Sequence, residues 1–180
     1  DTRIRVMRQS RHMGIVDALN TGSHAATGQY IARMDVDDIS LPERFERQVE
    51  YLNSHPDVGV LGTGVQLINV LGKKQTIVTL PPDHIQIYWS LFFCNPIVHP
   101  TVMMRRDLFL RAGGYRTGYP EDYDLWRRMS GLTRLANLPE VLLLLRKHLS
   151  NLSVTHETYS LASAIRVIRE LILNVLGKNV

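Results

Sequence analysis

Apolar positions along the chain change period several times, and each change marks an element. Ile4 to Met7 reads as a short strand, and Ile15, Leu19 and the small residues Gly22 to Ala26 follow at helical spacing. Tyr30 to Met34 is a second apolar run, ending abruptly in Asp35-Val36-Asp37-Asp38. A helix followed by a strand with acids at its end places those acids where open α/β sheets bind ligands, outside the strands' carboxyl ends. The next helix carries a start signal: Ser40 as cap, Pro42 in the first turn, and Glu43 completing a capping box. Phe45, Val49 and Leu52 form its expected buried stripe, and His55-Pro56 ends it.

Val58 to Asn69 is rich in Val, Leu and Gly and predicts a strand, with Gly72 in the turn after it. Pro81-Pro82 breaks the chain before a helix from about Asp83 to Phe93. Thr101 to Met104 is strand-like, and Leu108 to Ala112 is a short helix stopped by Gly113-Gly114. Glu121 to Met129 has helical spacing, and Leu132 to Leu138 and Val141 to Arg146 are two final strands. Leu161, Ile165, Ile168, Ile172 and Val175 then share one face of a long helix. The pattern predicts an α/β chain with one continuous domain followed by a C-terminal helix.

Bulk properties narrow this picture only a little. A chain of 180 residues with 44% hydrophobic content is long enough for one real core. No apolar run is long enough to span a bilayer, and the start, with Arg3, Arg5, Arg8 and Arg11, has no signal-peptide pattern. Cys94 is the single cysteine, which excludes an internal disulfide framework and fits a reducing compartment. No Cys/His spacing predicts a structural zinc site. A net charge of +4 points to an anionic partner without choosing among nucleic acid, phosphorylated substrate and acidic lipid. Basic and aromatic residues do not interleave, which argues against nucleic acid.

Three constellations could carry chemistry. The acids of Asp35-Val36-Asp37-Asp38 repel one another unless a cation or basic group neutralises them, and carboxylates suit Mg²⁺ or Mn²⁺ bridged to substrate phosphates. An EF-hand loop fails, because Ile39 and Ser40 would fill its fifth and sixth positions and Glu46 its twelfth, inside a helix. An acidic turn capping the next helix is the plain alternative. Glu121-Asp122-Tyr123-Asp124-Leu125-Trp126 opens another helix, where acids often only complement the helix dipole. Read functionally, Asp122 takes a proton from an acceptor hydroxyl and Glu121 positions it or bonds the sugar. Trp126 fits a core position better than a ligand platform, with Leu125 and Met129 as neighbours. The third group, Arg146-Lys147-His148 with Ser150, Asn151 and Ser153, offers cations and hydroxyls to a diphosphate, or is a solvated basic loop. His99, before Pro100, reads as a packed histidine ahead of a catalytic one.

In order along the chain, these segments resemble glycosyltransferase family 2. Gly28 to Arg44 looks like that family's strand, DxD metal motif and following helix. Asn95-Pro96-Ile97-Val98-His99-Pro100-Thr101 and Gly113-Gly114-Tyr115 look like its acceptor-side segments. Glu121 to Trp126 resembles its "ED" motif, and Arg146-Lys147-His148 with Ser153 its basic loop over the diphosphate. The resemblance implies an α/β fold of the GT-A type, a Rossmann-like mixed sheet flanked by helices and lacking its first strands. Residues 1–156 would form this partial domain and residues 157–180 an amphipathic C-terminal helix.

The implied reaction is an inverting transfer of a sugar from a nucleotide-diphosphate donor to an acceptor hydroxyl of a glycan or lipid-linked carrier. The implied cofactor is Mn²⁺ or Mg²⁺. By resemblance, Asp35 and Asp37 hold metal and nucleotide, Asp122 is the general base beside Glu121, and Arg146, His148 and Ser153 meet the diphosphate. Tyr115, Trp126 and His99 line the substrate side. The implied setting is cytoplasmic, at the inner face of the plasma membrane, in cell-envelope polysaccharide synthesis. Because the family's opening strands bind the nucleotide base, this chain alone is expected to show little or no turnover. The apolar stripe of the last helix, flanked by Arg166, Arg169 and Lys178, reads as packing on the domain or a partner, or as lying on an anionic membrane. The rival functions are a non-catalytic sugar- or nucleotide-binding remnant of the same fold and a metal-dependent nucleotidyltransferase; the second leaves Tyr115 and the Glu121-Asp122 segment without a task.

Overall fold

The computed structural model of the chain describes residues 1–118, 120–148 and 157–177. Helix α1 spans Ile15–Ala25, strand β1 Tyr30–Ala32, strand β2 Ile39–Ser40, helix α2 Arg44–Ser54, strand β3 Val58–Ile68 and strand β4 Lys74–Val78. Helix α3 spans His84–Ser90 and is followed by a 3₁₀ turn at His99–Thr101, strand β5 Met103–Arg105 and helix α4 Arg106–Arg111. Helix α5 is Glu121–Ser130, strand β6 Arg134–Arg146 and helix α6 Glu157–Val175.

The strands form one mixed six-stranded sheet in the order β1-β5-β3-β6-β2, with β4 also paired to β3. Strand β3 is its spine: parallel to β6 along its length, and antiparallel to β5 at one end and β4 at the other. Alternate residues of the central strands face opposite ways, as strand geometry requires. Val60, Met104 and Leu135 join a core with Ile87, Phe109, Trp126 and Val167, beneath α3, α4, α5 and α6. Leu61, Met103 and Ala136 join a second core with Leu52 of α2. Helices therefore cover both faces of the sheet.

The mixed α/β architecture agrees with the sequence reading, and the differences have physical causes. Residues Ile4 to Met7 are not a strand; Ile4 is 70% exposed and Val6 79%. No described strand runs beside them to accept and donate ladder hydrogen bonds. Ser40 does not cap α2: it sits in β2, and Glu43 occupies the cap position without a side-chain bond. The buried stripe of α2 is Arg44, Gln48 and Leu52, whereas Phe45 lies exposed. The polar pair belongs inside because it satisfies backbone carbonyls: Arg44 Nη2 donates to Arg33 O at 2.7 Å, and Gln48 Nε2 donates to Leu61 O at 3.0 Å and Thr101 O at 2.9 Å.

The two final strands are one, β6, carrying register shifts opposite Thr63, Gly64 and Val65 that absorb Pro139 and Glu140. Strand β4, which the periodicity misses, has almost no buried residue and forms by pairing with β3 across a turn in which Asn69 Oδ1 accepts from Leu71 N and Lys73 N. Helix α6 turns Val167 and Leu171 inward with Ala164 and Ile168 beside them, so Ile165, Ile172 and Val175 of the expected stripe point outward. It packs against α5, and Arg127 meets Glu170 at 2.7 Å. Among the described residues no helix is long and apolar enough to cross a membrane.

Candidate functional site

The site has two corners. The first is built by strand pairing across more than a hundred residues of chain. Strand β1 ends before the Asp35–Asp38 loop, and β2, just after the loop, pairs with the far end of β6 through Ile39–Leu144 and Ser40–Leu143. This brings the acids to Arg146 and His148. Arg146 N donates to Asp38 Oδ1 at 2.8 Å and Arg146 Nε donates to Asp37 O at 2.9 Å. His148 Nε2 lies 2.9 Å from Asp37 Oδ2. Asp35 is held differently, in a two-pronged pair with Arg33: Nη2 to Oδ1 at 2.6 Å and Nη1 to Oδ2 at 2.8 Å.

The loop carries unrelieved charge. Burial pushes the Asp38 carboxyl up, offset in part by the Arg146 amide, with the Asp37 and Asp35 charges raising it further. Its Oδ2 is buried without a hydrogen-bond partner among the described residues. Three carboxylates, one with an orphaned oxygen, are a donor set suited to a hard divalent cation. Among the described residues no cluster of three or more His, Cys, Asp or Glu is gathered to ligate one unaided. The residues thus fit Mg²⁺ or Mn²⁺ in the mode where substrate phosphates complete the coordination.

The second corner opens α5. Asp122 Oδ1 accepts from Tyr123 N at 2.7 Å and Oδ2 accepts from Asn95 Nδ2 at 2.7 Å. Burial, then the neighbouring Glu121 charge, pushes the Asp122 carboxyl up to about 6 against these two bonds and the Arg33 charge. It is therefore ionised at neutral pH and still able to take a proton. Glu121 Oε1 lies 3.8 Å from His99 Nδ1, and His99 Nε2 is 2.9 Å from Tyr115 Oη. Burial, with a smaller effect of Arg33, drives His99 well below the ordinary histidine range, so it is neutral here. Burial likewise raises Tyr115, which keeps its proton.

Tyr115 and His99 are buried, and Trp126 has no exposed surface. The His99 ring meets Tyr115 at 5.4 Å and the edge of Trp126 at 5.8 Å. Trp126 therefore supports the corner from inside the core and offers no platform to a ligand. Asp124, two residues after the base candidate, is wholly structural: it is fully buried and pairs with Arg127 at 3.2 Å and Arg128 at 2.8 Å. Arg128 then bonds Ala112 O and Gly114 O, locking α5 to the turn before Tyr115. Ser153 lies outside the described residues.

Four residues of the site were given no role by sequence reasoning, although Arg33 and Asn95 lie inside segments it picked out. Arg33, whose side chain is 10% exposed, links the corners: its charge acts on Asp38 on one side and on His99, Tyr115 and Asp122 on the other. Asn20 of α1 clamps Tyr115, accepting from its N and donating to its O, both at 2.9 Å. Asn95 and Asn137 hold the acceptor-side loop. No local pattern marks these residues; their spacing to partners runs from 2 to 95 residues. Two surface hollows elsewhere, one between Arg47 and Glu140 and one between Thr27 and Asp107, contain none of the candidate residues.

The family model for glycosyl transferase family 2 matches residues 1–111, well over half of the chain. The chain belongs to that family. The amylovoran biosynthesis glycosyltransferase AmsE of Erwinia amylovora is 41% identical over 138 residues, covering 76% of this chain and 52% of that protein. The O-antigen biosynthesis glycosyltransferase WbnJ of Escherichia coli is 42% identical over 135 residues, covering 73% of this chain and 52% of that protein. The mannosyltransferase PcManGT from Pyrobaculum calidifontis, solved with GDP-Man and Mn²⁺, superposes with a TM-score of 0.59 at 19% identity, over 89% of this chain and 45% of that one. That likeness establishes the GT-A fold. The chain spans about half the length of the curated relatives it matches.

Proposed function

We propose that this chain carries the donor-phosphate and acceptor corners of an inverting, metal-dependent glycosyltransferase acting in bacterial surface-polysaccharide synthesis. The observation that carries the reading is the presence of two unlike acidic sites, one in the loop between β1 and β2 and one at the start of α5. One is an acidic loop bonded to Arg146 and His148, and the other a half-buried carboxylate with its proton affinity raised to about 6. A carboxylate of the second kind is suited to taking a proton from an acceptor hydroxyl. The biosynthetic roles named for AmsE and WbnJ supply the polysaccharide setting, and the Mn²⁺ and GDP-Man of PcManGT supply a precedent for the cofactor and donor class.

In this reading, Asp122 removes the proton of the acceptor hydroxyl as its oxygen attacks the anomeric carbon. The bond from that carbon to the diphosphate breaks, and the diphosphate leaves with the electron pair. Glu121, held toward neutral His99, orients the acceptor. Arg146 and His148 attract the diphosphate oxygens, and Asp35 and Asp37 would hold the cation. When bound there, Mn²⁺ or Mg²⁺ supplies charge neutralisation for the departing diphosphate. The acceptor is a glycan or lipid-linked hydroxyl, and the setting is the cytoplasmic side of the membrane where such carriers are loaded.

The test is a Mn²⁺-dependent binding titration with UDP-, GDP- and dTDP-sugars on this chain and on an Asp35→Asn/Asp37→Asn variant. Saturable binding that needs the metal and is lost in the variant is the expected result. Binding that persists without metal, or in the variant, would sink the assignment of the acidic loop.

A further inference from the structure

We propose that Asn95 is a positioning residue for Asp122, holding one carboxylate oxygen so that the group keeps a single orientation and favours its ionised form. The inference rests on the reading of Asp122 as the general base. The Asn95 amide donates to Asp122 Oδ2 at 2.7 Å, the length of a strong bond to a charged acceptor. Its other end is committed as well: Asn95 Oδ1 accepts from Ile97 N at 3.3 Å. With the oxygen taken by a backbone donor, the nitrogen is the end that faces the carboxylate. The Tyr123 amide takes Oδ1, so Asp122 is gripped at both oxygens from two separate segments.

The segment that carries Asn95 is itself fixed to rigid elements. Upstream, Tyr123 Oη donates to Leu91 O at 2.6 Å, tying the end of α3 to α5. Downstream, Asn137 Nδ2 donates to Pro96 O at 3.1 Å and to Pro81 O at 2.8 Å, and Asn137 N donates to Pro82 O at 3.0 Å. Asn137 belongs to β6, deep in the sheet and buried. Its neighbour on β3 is Gly62, where a Cβ would collide with the Asn137 side chain and press Ile97 at 3.0 Å. A continuous run of contacts thus leads from the centre of the sheet through the loop to the carboxylate. Asn95 is the last member, and its own side chain stands in an exposed position. An exposed polar residue that fills no core volume does little for stability, so its job is at the site.

Titration of Asp122 by carbon-detected NMR on the aspartate-labelled chain tests this directly, since the readout needs no turnover. Asn95→Ala is expected to raise the Asp122 midpoint by roughly half a unit to one unit, the worth of one partly solvated bond to a charged acceptor. Asn95→Asp is expected to raise it further, because a second carboxylate then lies beside the first. Thermal melts of both variants should stay near the parent. If Asn95→Ala yields too little folded protein, Asn95→Ser serves in its place, with the same upward shift expected. An Asp122 midpoint unmoved by removal of the amide would overturn the proposal while leaving the general-base reading intact. That reading is decided separately by the turnover of Asp122→Asn.

Discussion

The two acidic corners manage charge in opposite ways. At the Asp35–Asp38 loop, two of the acids are met by basic side chains while staying partly open to solvent: Asp35 is 44% exposed against Arg33, and Asp37 is 32% exposed against His148. At the start of α5, Asp122 has neutral hydrogen-bond donors and a like-charged neighbour, and burial raises its proton affinity. The first arrangement leaves carboxylate oxygens reachable from solvent, where a hard cation can compete with the basic side chains for them. The second is tuned for proton transfer, because a carboxylate with an affinity near neutral both accepts and releases a proton. A run of acids in a sequence therefore has no fixed meaning; the identity and burial of its partners decide whether it holds ions or moves protons.

Three experiments press on this contrast. The largest effect is expected from Asp122→Asn, which should cost about 10²- to 10⁴-fold in turnover while leaving donor affinity unchanged. It is read in the longest active form of the enzyme by initial rates and donor titration. A loss of donor affinity in place of rate would merge the two corners into one. Next, Asp124→Ala should cost about 3–5 kcal/mol in urea unfolding, because it leaves the buried Arg128 without its carboxylate and Arg127 with Glu170 alone. An unaffected midpoint would show that the acids of α5 do not divide into a structural and a chemical member.

The smallest effect is in the pH dependence. Turnover should fall on the acid side with a single limb near pH 6, as Asp122 takes its proton. Stability should run the other way. Between its ordinary 3.8 and about 6 the folded chain keeps a proton that the unfolded chain has released. This group's contribution to folding is therefore full below 3.8 and is lost as pH rises through about 6. Thermal melts across that window should show the slope flattened in Asp122→Asn, and an unchanged slope would remove the claim that the raised affinity belongs to Asp122.

Much of the α/β order was legible because it rests on local periodicity. Helix α1, strand β3, helix α5 and the glycine stop after α4 all lie where spacing placed them. Local rules failed where tertiary contacts overrode them. Arg44 and Gln48 are polar yet buried, since they satisfy carbonyls of three different segments, and no hydropathy pattern marks that role. Strand β4 has no apolar alternation and exists only as the partner of β3. At the site, the acids and the Arg146–His148 pair were visible as motifs. Their juxtaposition came only through the family resemblance and not from any local pattern, because it depends on β2 pairing with the end of β6. Trp126 shows the converse: its neighbours Leu125 and Met129 pointed to the core, the family resemblance put it on the substrate side, and its full burial agrees with the core.

Strand β6 holds Asn137, which anchors the acceptor-side loop, and Arg146, which anchors the acidic loop. Because a single strand sets both, its residue spacing acts as a shared gauge for the two halves of the reaction. Side-chain exchanges along it should be absorbed one at a time by local repacking. A one-residue insertion or deletion between the two anchors is a different event: unless a bulge absorbs it, it would turn one of them to the opposite face of the sheet. The register shifts at Pro139 and Glu140 already use the slack such a strand has. Lineages of this fold should therefore vary freely in the chemistry of β6 and very little in its length.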